Sequence, residues 1–497
     1  MPHPLAVGLY IGTVGIATYC AERNKMAEIT AKILKGFRDI LPGEMIAREK
    51  IISVIKEVYE LYGFSPLSTP AIEHKMVVCS AGDEAKKQIY TFEEPDGSEV
   101  GLIYELTASL SRVMAEHREL PRPFKRYQIQ PVWRYDKPDP GRFREFIQFD
   151  IDTVGSGSMM ADAEIISAMH DALAKLGLEF KIRYSNRKVL NSLIEFAGLT
   201  PDMAHPVFRI LDKLDKQGIK AVKMELGPGR KDKSGDTIPG LGLNNSQVDC
   251  IEQFLNIAQS TRAEAVGSLR RLFKDVPSAE EGISELEQIH LFLESQKITD
   301  DKTPIDVSIA RGLDYYTGPV FEAVLTGKKS SRVGSVMGGG RYDNSIGRFT
   351  GVDTPATGAS IGIDRLMAAM FMEGKLESKP STADILVTVM MPERITEYAK
   401  IASALRRAGF KTELYVGNAK TIGKQLKYAD RQEIPVAVII GEDEFNKNQI
   451  SIKDLRKIKT EKVDIKDRAT WVKELVGQKT IPRDEIIEFI GRLLEKK

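Results

Sequence analysis

Arg311-Gly312-Leu313-Asp314-Tyr315-Tyr316-Thr317-Gly318-Pro319-Val320-Phe321-Glu322 is the stretch on which the reading of this 497-residue chain turns. An arginine, two tyrosines and two acids crowd onto one short turn-and-strand segment. Val320 and Phe321 suit a strand, while Gly312 and Gly318-Pro319 punctuate it as turns. Such a segment holds a fixed cation beside aromatic hydrogen-bonding groups. That suits a small ligand carrying negative charge and a polar ring. A lone Tyr-Tyr pair would equally be half-buried packing, but the stretch is not alone. Gly338-Gly339-Gly340-Arg341-Tyr342-Asp343 follows it, then Gly358-Ala359-Ser360-Ile361-Gly362-Ile363-Asp364-Arg365. Upstream lie Val132-Trp133-Arg134-Tyr135-Asp136 and Arg142-Phe143-Arg144-Glu145-Phe146-Ile147-Gln148.

Outward from these strings, extended segments are expected at Val100 to Leu106, Gln128 to Tyr135 and Phe143 to Val154. Lys137 to Arg142 then forms a hairpin tip. More follow at Asp306 to Ile309, Val320 to Leu325 and Ser335 to Gly338, with a helix over 362–374. An amphipathic helix is expected over 42–62, with Pro42 near its start, apolar residues at Ile51, Ile55, Val58 and Leu61, and Gly63 to cap it. Strands separated by long connections imply an antiparallel sheet with helices, hence α+β rather than a doubly wound sheet. Residues 176–300 carry none of the strings and read as a helical insertion, with an exposed Gly/Pro/Lys/Asp-rich loop at 227–243. The part that carries the strings is therefore expected at 29–175 and 301–376, the catalytic core in the reading given below. After a linker at Glu377-Ser378-Lys379-Pro380-Ser381, strands and helices alternate, which implies a separate α/β domain over 382–497.

Hydrophobic residues make up 42% and charged residues 28% of the chain, as in a globular protein with ample core. The formal net charge is +1, so a nucleic-acid partner would be met by local basic patches. Cys20, Cys79 and Cys250 form no CxxC pair, which fits a reducing, cytoplasmic setting rather than a disulfide framework or a zinc site. The first 20 residues carry no Lys, Arg, Asp or Glu, and Leu5 to Tyr19 is broken by three glycines. Neither a secretory signal nor a membrane span fits. Residues 1–28 are expected to be an extension, with Met26 a plausible start.

The RGLDYYTGPVFE and GGGRYD strings resemble the two signatures of the histidyl-tRNA synthetase family, a class II aminoacyl-tRNA synthetase family. FREFIQFDID and GIDRL resemble its class II motifs 2 and 3, and the helix over 42–62 with the strand at Pro70 resembles the dimer-forming motif 1. The resemblance covers roughly residues 32 to 497, with the strings in the family's order. It implies a homodimer that takes ATP with Mg2+, L-histidine and tRNA(His), makes histidyl-adenylate, and passes the histidine to the tRNA 3′ end. No membrane partner and no protein-held metal are implied.

Two anions must meet in that reaction, so fixed positive charge is needed where charge builds. Arginine suits this, because its planar fork grips carboxylate or phosphate bidentately. By resemblance Arg134 binds the α-phosphate and the attacking carboxylate, Arg142 the ATP tail and Arg365 the γ-phosphate. Arg311 looks like the histidine-specific arginine that also reaches the α-phosphate. Glu105, Thr107 and Gln148 look like the ammonium set, with Gln148 also counted as catalytic. Asp152 and Tyr316 look like the imidazole readers, and Tyr342 closes the pocket beside the ring. Asp152 is shorter than the glutamate of many bacterial members, and Leu106 replaces a glycine common in them.

Other motifs fail. Gly327-Lys328-Lys329-Ser330 lacks the preceding glycine of a Walker loop. HExxH, HIGH and KMSKS are absent, and the six histidines show no metal or triad spacing. Lys420, Lys424, Lys427 and Arg431 recur at helical spacing in the C-terminal part, where the family binds the anticodon; a solvated helix face is the other reading. The rival for the whole chain is the synthetase-like, histidine-sensing regulatory subunit of ATP phosphoribosyltransferase. That paralogue lacks the anticodon domain and degrades the arginine strings.

Overall fold

A computed structural model describes residues 31–79, 86–137, 141–232, 235–259, 261–310, 312, 315–376, 378–419, 421–456 and 477–495. The expectations for residues 1–28, Arg311 and Lys420 lie outside these.

The hairpin of β2 (Phe124–Trp133) and β3 (Glu145–Val154) organises the larger part. These strands pair antiparallel without interruption from Phe124↔Val154 to Trp133↔Glu145. Successive side chains point to opposite faces. Tyr127, Ile129, Phe149 and Ile151 therefore turn to the hydrophobic core. Arg126, Gln128 and Gln130 face Asp152, Asp150 and Gln148 on the other side. Outward from the hairpin lie β1 (Ser65–Pro66) on one flank and β7 (Ala356–Gly362), β6 (Ser335–Arg341), β5 (Pro319–Leu325) and β4 (Phe180–Asn186) on the other. The β1–β2 pair is parallel and the rest are antiparallel, so the α+β expectation holds.

Helices cover the apolar face. α1 (Pro42–Leu61) buries Ile51, Ile55, Val58 and Tyr59, and Gly63 follows it at φ +78°. α3 (Met159–Lys175), capped by Ser158, and α4 (Glu280–Ser295) pack in the same core. On the opposite face Gly338, Gly358 and Gly362 stand where side chains would otherwise be, and they line the floor of a cavity.

Four expectations are corrected. The boundary at 176 is too early, because Phe180–Asn186 is an edge strand of the large sheet, paired with Pro319–Leu325. Phe180, Ile182 and Tyr184 bury its apolar face. The helical stretch beyond it, including Asn245–Leu255 and Arg262–Leu272, shares the same core cluster. The strand expected through Leu106 stops at Leu102, and Leu106 opens the helix α2 (Leu106–Glu116). Asp306 to Ile309 is a turn, with Ile309 N–H bonded to the Asp306 carbonyl and the Ser308 hydroxyl to its carboxylate. The expected loop at 227–243 contains a small hairpin, Gly229–Lys231 with Thr237–Pro239.

The C-terminal part has its own sheet and its own core. Strand order is β9-β8-β10-β11-β12, for β8 (Ile385–Val387), β9 (Thr412–Leu414), β10 (Val436–Ile439), β11 (Gln449–Asp454) and β12 (Gln478–Pro482). The first three are parallel and the last two antiparallel. The helix Ile422–Arg431 buries Gln425 and Ala429 and exposes Lys424, Lys427 and Arg431.

Candidate active site

Above the glycine floor lies a cavity of about 640 Å³. Glu105, Thr107, Arg134, Arg142, Gln148, Asp152, Tyr316, Tyr342 and Arg365 all line it. These are the expected site residues that fall within the described part of the chain. They come from segments up to 260 residues apart in sequence (365 − 105).

Each is set by its element. Glu105 stands at the N-cap of α2 with extended backbone (φ −154°, ψ 166°), and its side chain makes no capping bond. Its carboxylate faces the cavity instead. Burial raises its pKa, while Arg134 acts to lower it. Arg134 follows β2. Its Nε donates to the Tyr104 carbonyl at 3.1 Å, and its guanidinium lies 4.2 Å from the Tyr104 ring centre and 5.2 Å from that of Phe146. The two rings hold the guanidinium plane by cation–π contact. Arg142 is exposed between β2 and β3.

Arg365 belongs to the first turn of α5 (Ile363–Met372) and donates to the Ser335 carbonyl at 2.8 Å. The start of that helix is tied down by Asp364. Its carboxylate accepts from Arg38 at 2.7 Å, Arg48 at 2.5 Å and the Ile147 N–H at 3.0 Å. One acid thus joins α1, β3 and α5 beneath the cavity.

The other end is aromatic and acidic. Tyr315 stacks on Tyr342, ring centres 5.5 Å apart at 25°, and meets Tyr316 edge-on at 5.2 Å. Gly312 makes room for this cluster: it sits at φ +59°, and a Cβ there would stand 2.1 Å from Tyr316 Cδ2. The Tyr342 hydroxyl donates to Asp152. Asp152 also pairs with Arg126 at 2.8 Å, a guanidinium with no solvent exposure. Burial raises the Asp152 carboxyl, opposed by Arg126 and by the Tyr342 hydrogen bond. In the GGGRYD string, Arg341 turns away from the cavity and pairs with buried Asp162 on α3. That contact anchors β6.

Two cavity residues and one behind them escaped the sequence reading. Asp150 lies in the wall, Ser360 accepts from the Gln148 amide at 2.7 Å, and Arg126 backs the wall through Asp152. The signal for Asp150 was available: it lies in phase with Gln148 and Asp152 on one strand face.

The cavity therefore offers arginines at one end and a tyrosine-carboxylate box at the other, linked by Glu105, Thr107 and Gln148. The chain belongs to the histidyl-tRNA synthetase family, whose profile matches residues 36–366. An anticodon-binding-domain profile matches residues 384–475. The chain is 43% identical over 467 residues to a histidine–tRNA ligase of Jannaschia sp. (strain CCS1), across 88% of this chain and 92% of that protein. It is 41% identical over 497 residues to the histidine–tRNA ligase of Ruegeria sp. (strain TM1040), across 95% of this chain and 98% of the relative. A histidyl-tRNA synthetase crystal structure from Nostoc sp. PCC 7120 superposes with a TM-score of 0.78 at 30% identity, covering 94% of this chain and 100% of that one.

Proposed function

We infer that this chain is a histidine–tRNA ligase, a class II aminoacyl-tRNA synthetase that works as a cytoplasmic homodimer. It activates histidine with ATP and transfers it to the 3′ end of tRNA(His). The observation that carries this reading is the convergence of residues from separate strings on one cavity that holds arginines, tyrosines and carboxylates together.

Arg134 and Arg311 are the groups proposed to meet the α-phosphate, where charge builds as the histidine carboxylate attacks and pyrophosphate leaves. Arg142 and Arg365 take the ATP tail and γ-phosphate. Glu105, Thr107 and Gln148 receive the ammonium; the Gln148 amide is fixed by Ser360, which aims its oxygen. Asp152, Tyr316 and Tyr342 form the ring end. Among the described residues no cluster of three or more His, Cys, Asp or Glu side chains is placed to hold a metal. A Mg2+ would arrive on the ATP phosphates, as is usual for this ion. Bound there, it would neutralise phosphate charge.

The exposed Lys424, Lys427 and Arg431 are proposed to meet anticodon-stem phosphates, a contact that weakens as salt rises. Exposed Leu61, Ile72 and Met76, around α1 and the strand after it, are proposed to lie in the dimer interface. Among the described residues no helix is long and apolar enough to cross a membrane. The regulatory-subunit alternative is disfavoured, because the chain carries the matched anticodon-binding domain and keeps Arg134 and Arg365 in the cavity.

The test is charging of tRNA(His) with histidine by the whole chain and by a chain ending at Lys379. The whole chain is expected to charge. The shortened one is expected to make adenylate but charge poorly. No charging by the folded whole chain contradicts the function, and equal charging by both contradicts the anticodon assignment.

A further inference from the structure

Two arginines at the phosphate end, Arg142 and Arg365, lie beside residues that are held by one side chain. Arg38 belongs to the segment that precedes α1. Its guanidinium lies 4.2 Å from the ring centre of Phe143, the neighbour of Arg142. One of its amino groups donates to Asp364, the neighbour of Arg365, at 2.7 Å. The other pairs with Glu44 in the first turn of α1, also at 2.7 Å. A planar guanidinium stacks on a ring and donates from its edge at the same time, which an ammonium cannot. Phe143 and Asp364 both line the cavity.

The backbone beside Arg38 reinforces the contact. The Gly36 carbonyl accepts from the Arg144 N–H at 2.8 Å. Gly36 sits at φ +88°, and a Cβ there would stand 2.8 Å from Arg144 Cγ. Arg144 in turn ties the two strands' ends on either side of Arg142. Its Nε donates to the Asp136 carbonyl at 3.2 Å, and its guanidinium lies 3.9 Å from the Tyr135 ring centre. Residues 36–38 therefore brace the approach to Arg142 and the start of α5 together. Yet Arg38 is not what keeps Asp364 satisfied. Buried Arg48 meets the same carboxylate oxygen at 2.5 Å, and the Ile147 N–H meets the other at 3.0 Å. Without Arg38 the buried acid keeps a cation and a donor, so the fold is expected to survive. What is lost is the tie between Phe143 and Asp364.

We propose that Arg38 is a positioning residue for the ATP tail, setting Arg142 and Arg365 relative to each other through Phe143 and Asp364. The inference rests on the histidine-activating reading, in which these two arginines take the tail and the γ-phosphate. Arg142 is exposed and Arg365 half-buried, so burial alone does not hold either cation in place. Fixed spacing helps two cations that await a flexible triphosphate, because less ordering is left for the binding step. Histidyl-adenylate has lost that tail with the departing pyrophosphate. Arg38 therefore acts on the ATP-bound enzyme and not on the adenylate-bound one.

The test is histidine-dependent exchange of pyrophosphate into ATP by the full-length protein, wild type against Arg38→Ala and Arg38→Lys. Arg38→Ala is expected to lower kcat/KM for ATP roughly tenfold to a hundredfold, the effect of misplaced binding groups. The KM for histidine is expected to stay within about twofold. Arg38→Lys keeps a charge for Asp364 and Glu44 but not the planar stack, and is expected to recover part of the loss. The second readout is binding of histidyl-sulfamoyl adenosine, an adenylate mimic with no β- or γ-phosphate. Its affinity is expected to stay within about twofold of wild type in both variants. A merely structural role would weaken all these ligands together and lower the melting temperature. Loss of the fold in Arg38→Ala, an unchanged kcat/KM for ATP, or equal losses for ATP, histidine and the mimic overturns the inference and leaves the function standing. Absence of any histidine-dependent exchange in the wild type overturns the function and this inference with it.

Discussion

The two ends of the cavity solve opposite problems with the same residue types. At the ring end the charges are buried and paired before any ligand arrives: Arg126 with Asp152, and Asp152 with Tyr342. At the phosphate end the cations stay near water. Arg134 is half-buried between two rings, Arg142 is exposed, and Arg365 is half-buried with a bond to a backbone carbonyl. The difference follows from where the counter-charge comes from. ATP brings its own, so the arginines can await it in solvent. A polar ring brings little charge, so the groups that read it must be held in place by the protein's own pairs. On the proposed reading, selectivity would reside in the buried, self-paired end and rate enhancement in the exposed, cationic end.

That contrast is sharpened most by breaking the buried pair. Asp152→Ala is expected to cost about 3–5 kcal/mol of stability, because Arg126 would be left buried without its partner. Denaturant unfolding measures it, and a loss comparable to that of a surface mutation would mean the ring end is not pre-paired. At the other end, Arg134→Ala is expected to leave stability nearly intact and to cut adenylate formation by about two orders of magnitude, as for loss of a transition-state donor. Arg311→Ala is expected to behave likewise. Single-turnover adenylate formation in the folded variants reads this. A fold-wide loss of stability in Arg134→Ala would erase the distinction between the ends.

Smaller effects come from single contacts. Tyr342→Phe removes one hydrogen bond from Asp152 and is expected to cost about 1–3 kcal/mol of stability while leaving the KM for ATP unchanged. Denaturant midpoints and substrate titrations measure both. The smallest effect depends on pH. Burial, above all, raises the Asp150 carboxyl from its ordinary value of 3.8 to about 7. In the unfolded chain it ionises near its ordinary value. Between these two values the unfolded state binds fewer protons than the folded one, so this group's contribution to stability falls as pH climbs. Asp150→Asn removes that dependence. The stability of the variant relative to the wild type is expected to increase from about pH 4 to about pH 7 and then to level off. A flat difference would mean the carboxyl is not held in a water-poor site.

How much of this was legible beforehand depended on whether a residue announced itself locally. Arg134, Arg365, Tyr316 and Tyr342 sit in distinctive strings, and all four line the cavity. The helix over Pro42–Leu61 was legible because proline, apolar spacing and a following glycine all agree. Arg126 was not, because its meaning lies in the strand register. It becomes a partner of Asp152 only when β2 and β3 pair as they do. Asp150 was hidden by its neighbours, two more conspicuous residues of the same face. Strand Phe180–Asn186 was missed because it closes a sheet whose next strand begins at Pro319, a pairing that no local pattern encodes. The strand expectation ran on to Leu106, the first residue of α2, because Glu105 before it turns toward the cavity rather than capping the helix.

The most direct measurement of the central claim is ATP–pyrophosphate exchange by the purified protein with each amino acid in turn. The cavity described here is expected to support exchange with histidine and to reject ring-free amino acids by at least about three orders of magnitude, since they would leave its buried acceptors unpaired. Comparable exchange with a ring-free amino acid, or none with histidine, would contradict the assignment of the buried end to ring recognition.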